Sequence, residues 1–185
     1  FSMTSTPDSP GRLDVRIADE AALAGVAADL VAALPREAFV TLEGDLGAGK
    51  TTFVKAIAAA AGIDPAEVVS PTFGLIHLHA AAAPAGGLPL RLVHADMYRL
   101  ADESELHELG WEDAILPREG SRTWAFVEWP GRIARALPEE RLDIAIGIDS
   151  ETARTLSFTS RSAAHDTVIA ELSPRATRVP PQSRP

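Results

Sequence analysis

The segment "EGDLGAGKTT", residues 43–52, constrains this chain more than any other stretch. Gly44, Gly49, Lys50 and Thr51 fill the spacing G-x-x-x-x-G-K-[ST], with Gly47 as a further glycine inside the loop. Such a loop holds a polyanion with its own N–H groups and those of a following helix, so a strand must deliver it and a helix must carry it away. Both neighbours are present. "AFVTLE" (38–43) is a short apolar, β-branched run, and "TTFVKAIAAAAGI" (51–63) reads as an alanine-rich helix closed by Gly62 and Pro65. The expected cradle is Asp45, Leu46, Gly47, Ala48, Gly49, Lys50, Thr51 and Thr52. Lys50 is one of two lysines against fifteen arginines. A compact, flexible ammonium follows a terminal phosphate where a planar guanidinium fits poorly. The Thr51 hydroxyl suits Mg²⁺. A glycine-rich turn with a solvated lysine is the plain alternative, and the flanking elements disfavour it.

With 185 residues the chain suffices for one well-buried α/β domain and is short for two. It contains no cysteine, which excludes disulfides and thiolate metal sites. No window approaches the roughly 18 apolar residues of a membrane span, and the N-terminal segment lacks a basic start followed by an apolar stretch. A cytoplasmic protein is expected. The formal charge of −9 disfavours direct contact with nucleic acid, whose phosphates reward clustered Lys and Arg. Eight acidic residues between positions 96 and 119 face only Arg99 and Arg118. They form a solvated face or one that meets a basic protein partner.

Along the chain, strands are expected at 13–19, 38–43, 90–96 and 123–129, with 70–80 beginning as a turn and running into a strand and a closing hairpin over 141–160. Helices are expected at 20–34, 51–63 and in the acidic patch 102–116, with a short one from Pro130. The alternation predicts a three-layer α/β/α sandwich, P-loop NTPase-like, around a mixed, largely parallel sheet. Hairpins at 73–96 and 141–160 supply its antiparallel part. Residues 1–12 and 161–185 are expected to be disordered, leaving 13–160 as a single domain.

Hydrolysis needs a metal holder and a group that handles water. Asp96 closes "LRLVHAD" and Glu128 closes "TWAFVE", each a carboxylate directly after an apolar strand, and Mg²⁺ prefers such hard oxygens. The chain has no asparagine, and its one glutamine, Gln182, lies in the tail. A glutamine that positions water and an Asn-Lys-x-Asp guanine site are therefore both excluded. Glu128 becomes the candidate for orienting water and Asp96 the metal holder beside Thr51; sequence permits the roles to be exchanged. Thr72 is a further candidate for the metal shell. "SPTF" (70–73) reads as a plain turn, favoured on composition, or as a nucleotide-sensing segment. His77, His79 and His94 invite a zinc reading, which the absence of an obvious third ligand disfavours. Arg99 fits transition-state charge or a surface ion pair equally. The alternative reading is a kinase that passes the γ-phosphate to a small molecule, and a third is a module that binds ATP without turnover.

"GDLGAGKTT" (44–52), "SPTF" (70–73), "HADMYRL" (94–100), "ELHELG" (105–110) and "VEWP" (127–130) occur in one order and spacing. In these the sequence resembles the TsaE (YjeE) family over roughly residues 18–158. The resemblance implies an ATPase of tRNA threonylcarbamoyladenosine biosynthesis with ATP/ADP and Mg²⁺ as ligands. It would assist TsaB and TsaD type proteins, which modify adenosine 37 of tRNAs reading ANN codons. It implies phosphate binding by Lys50, metal binding by Thr51, metal and hydrolytic roles for Asp96 and Glu128, and Trp129 and "SPTF" beside the nucleotide. No direct tRNA contact is expected, and a monomer is favoured. The insertion at 80–88 and the tail lie outside the pattern. "DEAALA" lacks a threonine common in relatives, which leaves adenine contacts there open.

Overall fold

Alternating side chains along each central strand feed two separate cores. In β2 (Glu37–Glu43), Ala38, Val40 and Leu42 join one core and Phe39 the other. In β5 (Arg122–Glu128), Trp124 and Phe126 face the first core, Ala125 and Val127 the second. β4 (Leu90–Asp96) divides Leu90 and Leu92 from Val93 and Ala95 in the same way. Strands buried on both faces need helices on both, so the molecule is a three-layer α/β/α sandwich. The structure, a computed structural model, describes residues 11–69 and 75–176.

The remaining strands are β1 (Arg12–Ile17), β3 (Ile76–Ala81), β6 (Leu142–Ile148) and β7 (Arg154–Ser160). The sheet order is β1-β7-β6-β2-β5-β4-β3. Its centre, β6-β2-β5-β4, is parallel, while β3 on one side and β7 and β1 on the other add antiparallel ladders. The sheet is mixed as expected, with the parallel part confined to these four strands. Helices α1 (Glu20–Ala33), α2 (Lys50–Ala60) and α5 (Ala163–Ala176) cover the first core. Leu23, Ala27 and Leu30 point inward from α1 at helical spacing, and full burial of each leucine contributes about 1.5–3 kcal/mol. Asp19 caps α1, its Oδ1 accepting from the Ala22 N–H at 2.8 Å. The second core lies under α3 (Glu105–Glu108), α4 (Trp111–Ile115) and a 3-10 turn, Pro130–Ile133.

Three expectations need correction. Residues 163–176, expected to be disordered, form α5, because Val168, Ile169 and Leu172 share one face and bury it against the first core. The acidic patch is two short helices rather than one, since Gly110 takes the left-handed conformation (φ 67°) between them. The first strand begins at Arg12, inside the segment expected to be disordered. "SPTF" and Thr72 lie outside the described residues.

Candidate functional site

Parallel pairing of β2, β5 and β4 brings their carboxyl ends to one edge of the sheet, where an open α/β fold binds ligands. Asp96 and Glu128 face each other in the β4–β5 register, and the glycine-rich loop leaves β2 beside them. Together they bound a cleft of about 390 Å³. Leu46, Gly47, Gly49, Lys50, Thr51, Thr52, Asp96, Arg99, Glu128 and Trp129 line it, as do Tyr98 and Leu75. Of the expected cradle, Leu46, Gly47, Gly49, Lys50, Thr51 and Thr52 lie on this cleft, whereas Ala48 lines a neighbouring one and the Asp45 carbonyl accepts from Lys50.

Backbone geometry explains the glycines. Gly44 has φ 152°, and a Cβ there would lie 2.6 Å from the Ile146 carbonyl oxygen. Gly49, in the left-handed region at φ 103°, precedes α2 and turns the chain into it. The first residues of α2, Lys50, Thr51 and Thr52, line the cleft, and N–H groups in a helix's first turn have no partners within the helix. Arg154, at the start of β7, ties the loop down: its Nε donates to the Ala48 carbonyl at 3.1 Å, and its Nη1 to Ser150 O and Ala153 O, both at 2.9 Å.

Lys50 is 5% exposed. Its ammonium donates to Gly44 O (2.7 Å) and Asp45 O (3.0 Å) and sits 4.0 Å from the centre of the Trp129 ring. Burial pulls this amine below the ordinary lysine value, while Glu128, Asp96 and Asp45 oppose the shift by favouring the charged form. Trp129 adopts a left-handed backbone (φ 59°, ψ 50°), as does Leu75 (φ 52°). Both residues line the cleft, and non-glycine residues held there store strain of the kind that gathers at ligand sites.

Thr51 Oγ1 donates to Glu128 Oε1 at 2.8 Å and Oε2 at 3.1 Å, and His94 Nε2 lies 2.8 Å from Glu128 Oε1. Asp96 Oδ1 accepts from the Tyr98 N–H at 3.0 Å. A hydroxyl that donates its proton to a carboxylate keeps its lone pairs for a cation. Thr51, Asp96 and Glu128 therefore form a hard-oxygen set suited to Mg²⁺. Among the described residues no group of three or more His, Asp or Glu is arranged to hold a metal, and His94 turns to Glu128.

A second cleft of about 560 Å³ adjoins the loop on its Ala48 side, bounded by Asp19, Glu20, Glu151 and Arg154. Arg154 and the His94–Glu128 contact carry no signal in the sequence. Both depend on chain crossings that no local spacing announces, although the left-handed residue after Glu128 coincides with the "EWP" motif.

A family model described as "Threonylcarbamoyl adenosine biosynthesis protein TsaE" matches residues 17–156. The tRNA threonylcarbamoyladenosine biosynthesis protein TsaE of Bacillus subtilis is 42% identical over 134 residues, 72% of this chain and 77% of that protein. The protein of the same name from Treponema pallidum is 33% identical over 118 residues, 64% and 78% of the two chains. The crystal structure of Bacillus subtilis YdiB superposes with a TM-score of 0.67 at 30% identity, covering 89% of this chain and 95% of that one.

Proposed function

The chain belongs to the TsaE family of threonylcarbamoyl adenosine biosynthesis proteins, and on that premise we propose that it is a Mg²⁺-dependent ATPase. In this reading it supports modification of adenosine 37 in tRNAs reading ANN codons by acting on TsaB and TsaD type proteins in the cytoplasm. The observation that carries the reading is the meeting of Thr51 and Glu128 directly beside the glycine-rich loop.

Each residue then has a task set by its position. The N–H groups of Leu46, Gly47 and Gly49–Thr52 and the Lys50 ammonium hold the phosphates of ATP, and release of Lys50 from Gly44 O and Asp45 O accompanies the exchange. Thr51 and Asp96 offer oxygens to Mg²⁺, which supplies charge neutralisation at the phosphates. Glu128 orients the attacking water and accepts its proton. Trp129 shields the ammonium, and Arg99 is within the same cleft to meet charge developing on the transferred phosphoryl group. The second cleft, on the far side of the loop, offers room for the base and sugar. A net charge of −9 fits docking onto protein partners better than onto tRNA. Among the described residues no helix is long and apolar enough to cross a membrane.

Phosphate release from ATP by the purified protein, alone and with TsaB and TsaD type partners, tests the reading. Slow release that accelerates with the partners is expected, and Glu128→Gln is expected to bind nucleotide normally while turning over about 10²–10⁴-fold more slowly. Unchanged turnover in Glu128→Gln removes that residue from the mechanism. Stoichiometric phosphorylation of a small molecule points to a kinase instead.

A further inference from the structure

His94 sits on β4 two residues before Asp96, so both side chains leave the same face of the strand, the face that meets α2. It is fully buried at 0% exposure, and Glu128 is 2% exposed. A buried imidazole is costly unless bonded, and this one directs Nε2 at Glu128 Oε1 across 2.8 Å. Among the described residues Nδ1 has no hydrogen-bond partner. Because a carboxylate oxygen accepts, Nε2 is the donor in this contact. Oε1 therefore receives two donors, Thr51 at 2.8 Å and His94 at 2.8 Å, whereas Oε2 receives only the longer Thr51 contact at 3.1 Å.

Resting on the ATPase reading above, we propose that His94 is a positioning residue for hydrolysis. It pins Oε1 of Glu128 so that Oε2 is the oxygen left to engage the attacking water. Position and chemistry divide the carboxylate between its two oxygens. Oε1 is anchored by both the imidazole and the Thr51 hydroxyl, which restrains the carboxylate. Oε2, held only by the longer Thr51 contact, then has spare lone pairs. His94 does not itself line the cleft and reaches it only through Glu128, so its loss acts on Glu128 and spares nucleotide binding.

The test compares His94→Leu, which removes the donor, with His94→Gln, whose amide can place an N–H near the former Nε2. Folding of each variant is checked by thermal unfolding, and ADP affinity and ATP turnover are measured with the TsaB and TsaD type partners present. The expected result is a fall in kcat of about 10–100-fold for His94→Leu, KM and ADP affinity within about twofold of the parent, and partial recovery of kcat in His94→Gln. A proton NMR signal from the hydrogen-bonded ring N–H that is lost in Glu128→Ala is expected independently of turnover. Equal kcat in His94→Leu and the parent overturns the inference. So does loss of ADP binding in step with kcat in both variants, which marks a packing role. Absence of phosphate release from the unsubstituted protein overturns the ATPase reading itself and this inference with it.

Discussion

Thr51 on α2 and Glu128 at the end of β5, separated by 77 positions in the chain, meet through one hydroxyl that donates to both carboxylate oxygens. This contact joins the phosphate loop to the acidic strand end and leaves the threonine lone pairs toward the cleft. Thr51→Ala is expected to abolish the increase in ATP affinity that Mg²⁺ brings, with affinity in EDTA nearly unchanged, whereas Thr51→Ser keeps the increase. Fluorescence titration with a labelled ATP analogue, with and without Mg²⁺, reads both.

Arg154 holds the loop from the opposite side through Ala48 O while bonding the β6–β7 turn. A hydrogen bond from a charged donor contributes about 1.5–3 kcal/mol, so Arg154→Ala is expected to weaken nucleotide binding by roughly tenfold or more through a loosened loop. Isothermal titration with ADP measures the change, and the thermal midpoint shows whether the fold survives.

Two glycines make opposite predictions for one substitution. Gly44→Ala forces a Cβ to 2.6 Å from Ile146 O at a positive φ and is expected to cost about 2–4 kcal/mol. Gly25→Ala, inside α1 with nothing within 4 Å of the new carbon, is expected to add about 0.5–1 kcal/mol. Urea unfolding of the two variants compares them.

Much of this site is legible in the sequence because its parts are local. The glycine spacing, the lysine and the acids that end two apolar strands each announce themselves within ten residues. Their mutual placement is not local: nothing in "LVHAD" or "VEWP" states that β4 and β5 are neighbours, or that His94, opposite His77 in the β3–β4 ladder, bonds to Glu128. The β7 strand carries Arg154 to the loop only because β6 pairs with β2, a register fixed by burial across the sheet. α5 escaped for a different reason. Its large apolar residues are only Val168, Ile169 and Leu172, Pro174 lies near its end, and its stability comes from packing on α1 and β7 rather than from helix propensity.

Acid should weaken the fold in two stages. Burial holds the His79 and His165 rings below the ordinary value of 6.5, outweighing nearby Glu67 for His79 and Glu140 and Asp166 for His165. The unfolded chain therefore binds protons more readily, and stability falls as pH drops below 6.5. At Asp143, burial pushes the carboxyl up, but hydrogen bonds from Arg161, Thr41 and Arg141 outweigh it and hold it below 3.8. Its contribution is complete above that value and is lost as pH falls through the lower folded one. Urea midpoints from pH 7.5 to 3 check this: His165→Gln is expected to flatten the first decline and Asp143→Asn the second.

Calorimetric titration of Mg-ATP into the protein and into its Lys50→Ala variant tests the central claim most directly. Saturable one-site binding to the parent, lost or weakened at least 100-fold in the variant, is the predicted result, since removing the ammonium leaves the buried phosphates without their cation. No measurable binding to the parent, or equal affinity in the two proteins, contradicts it.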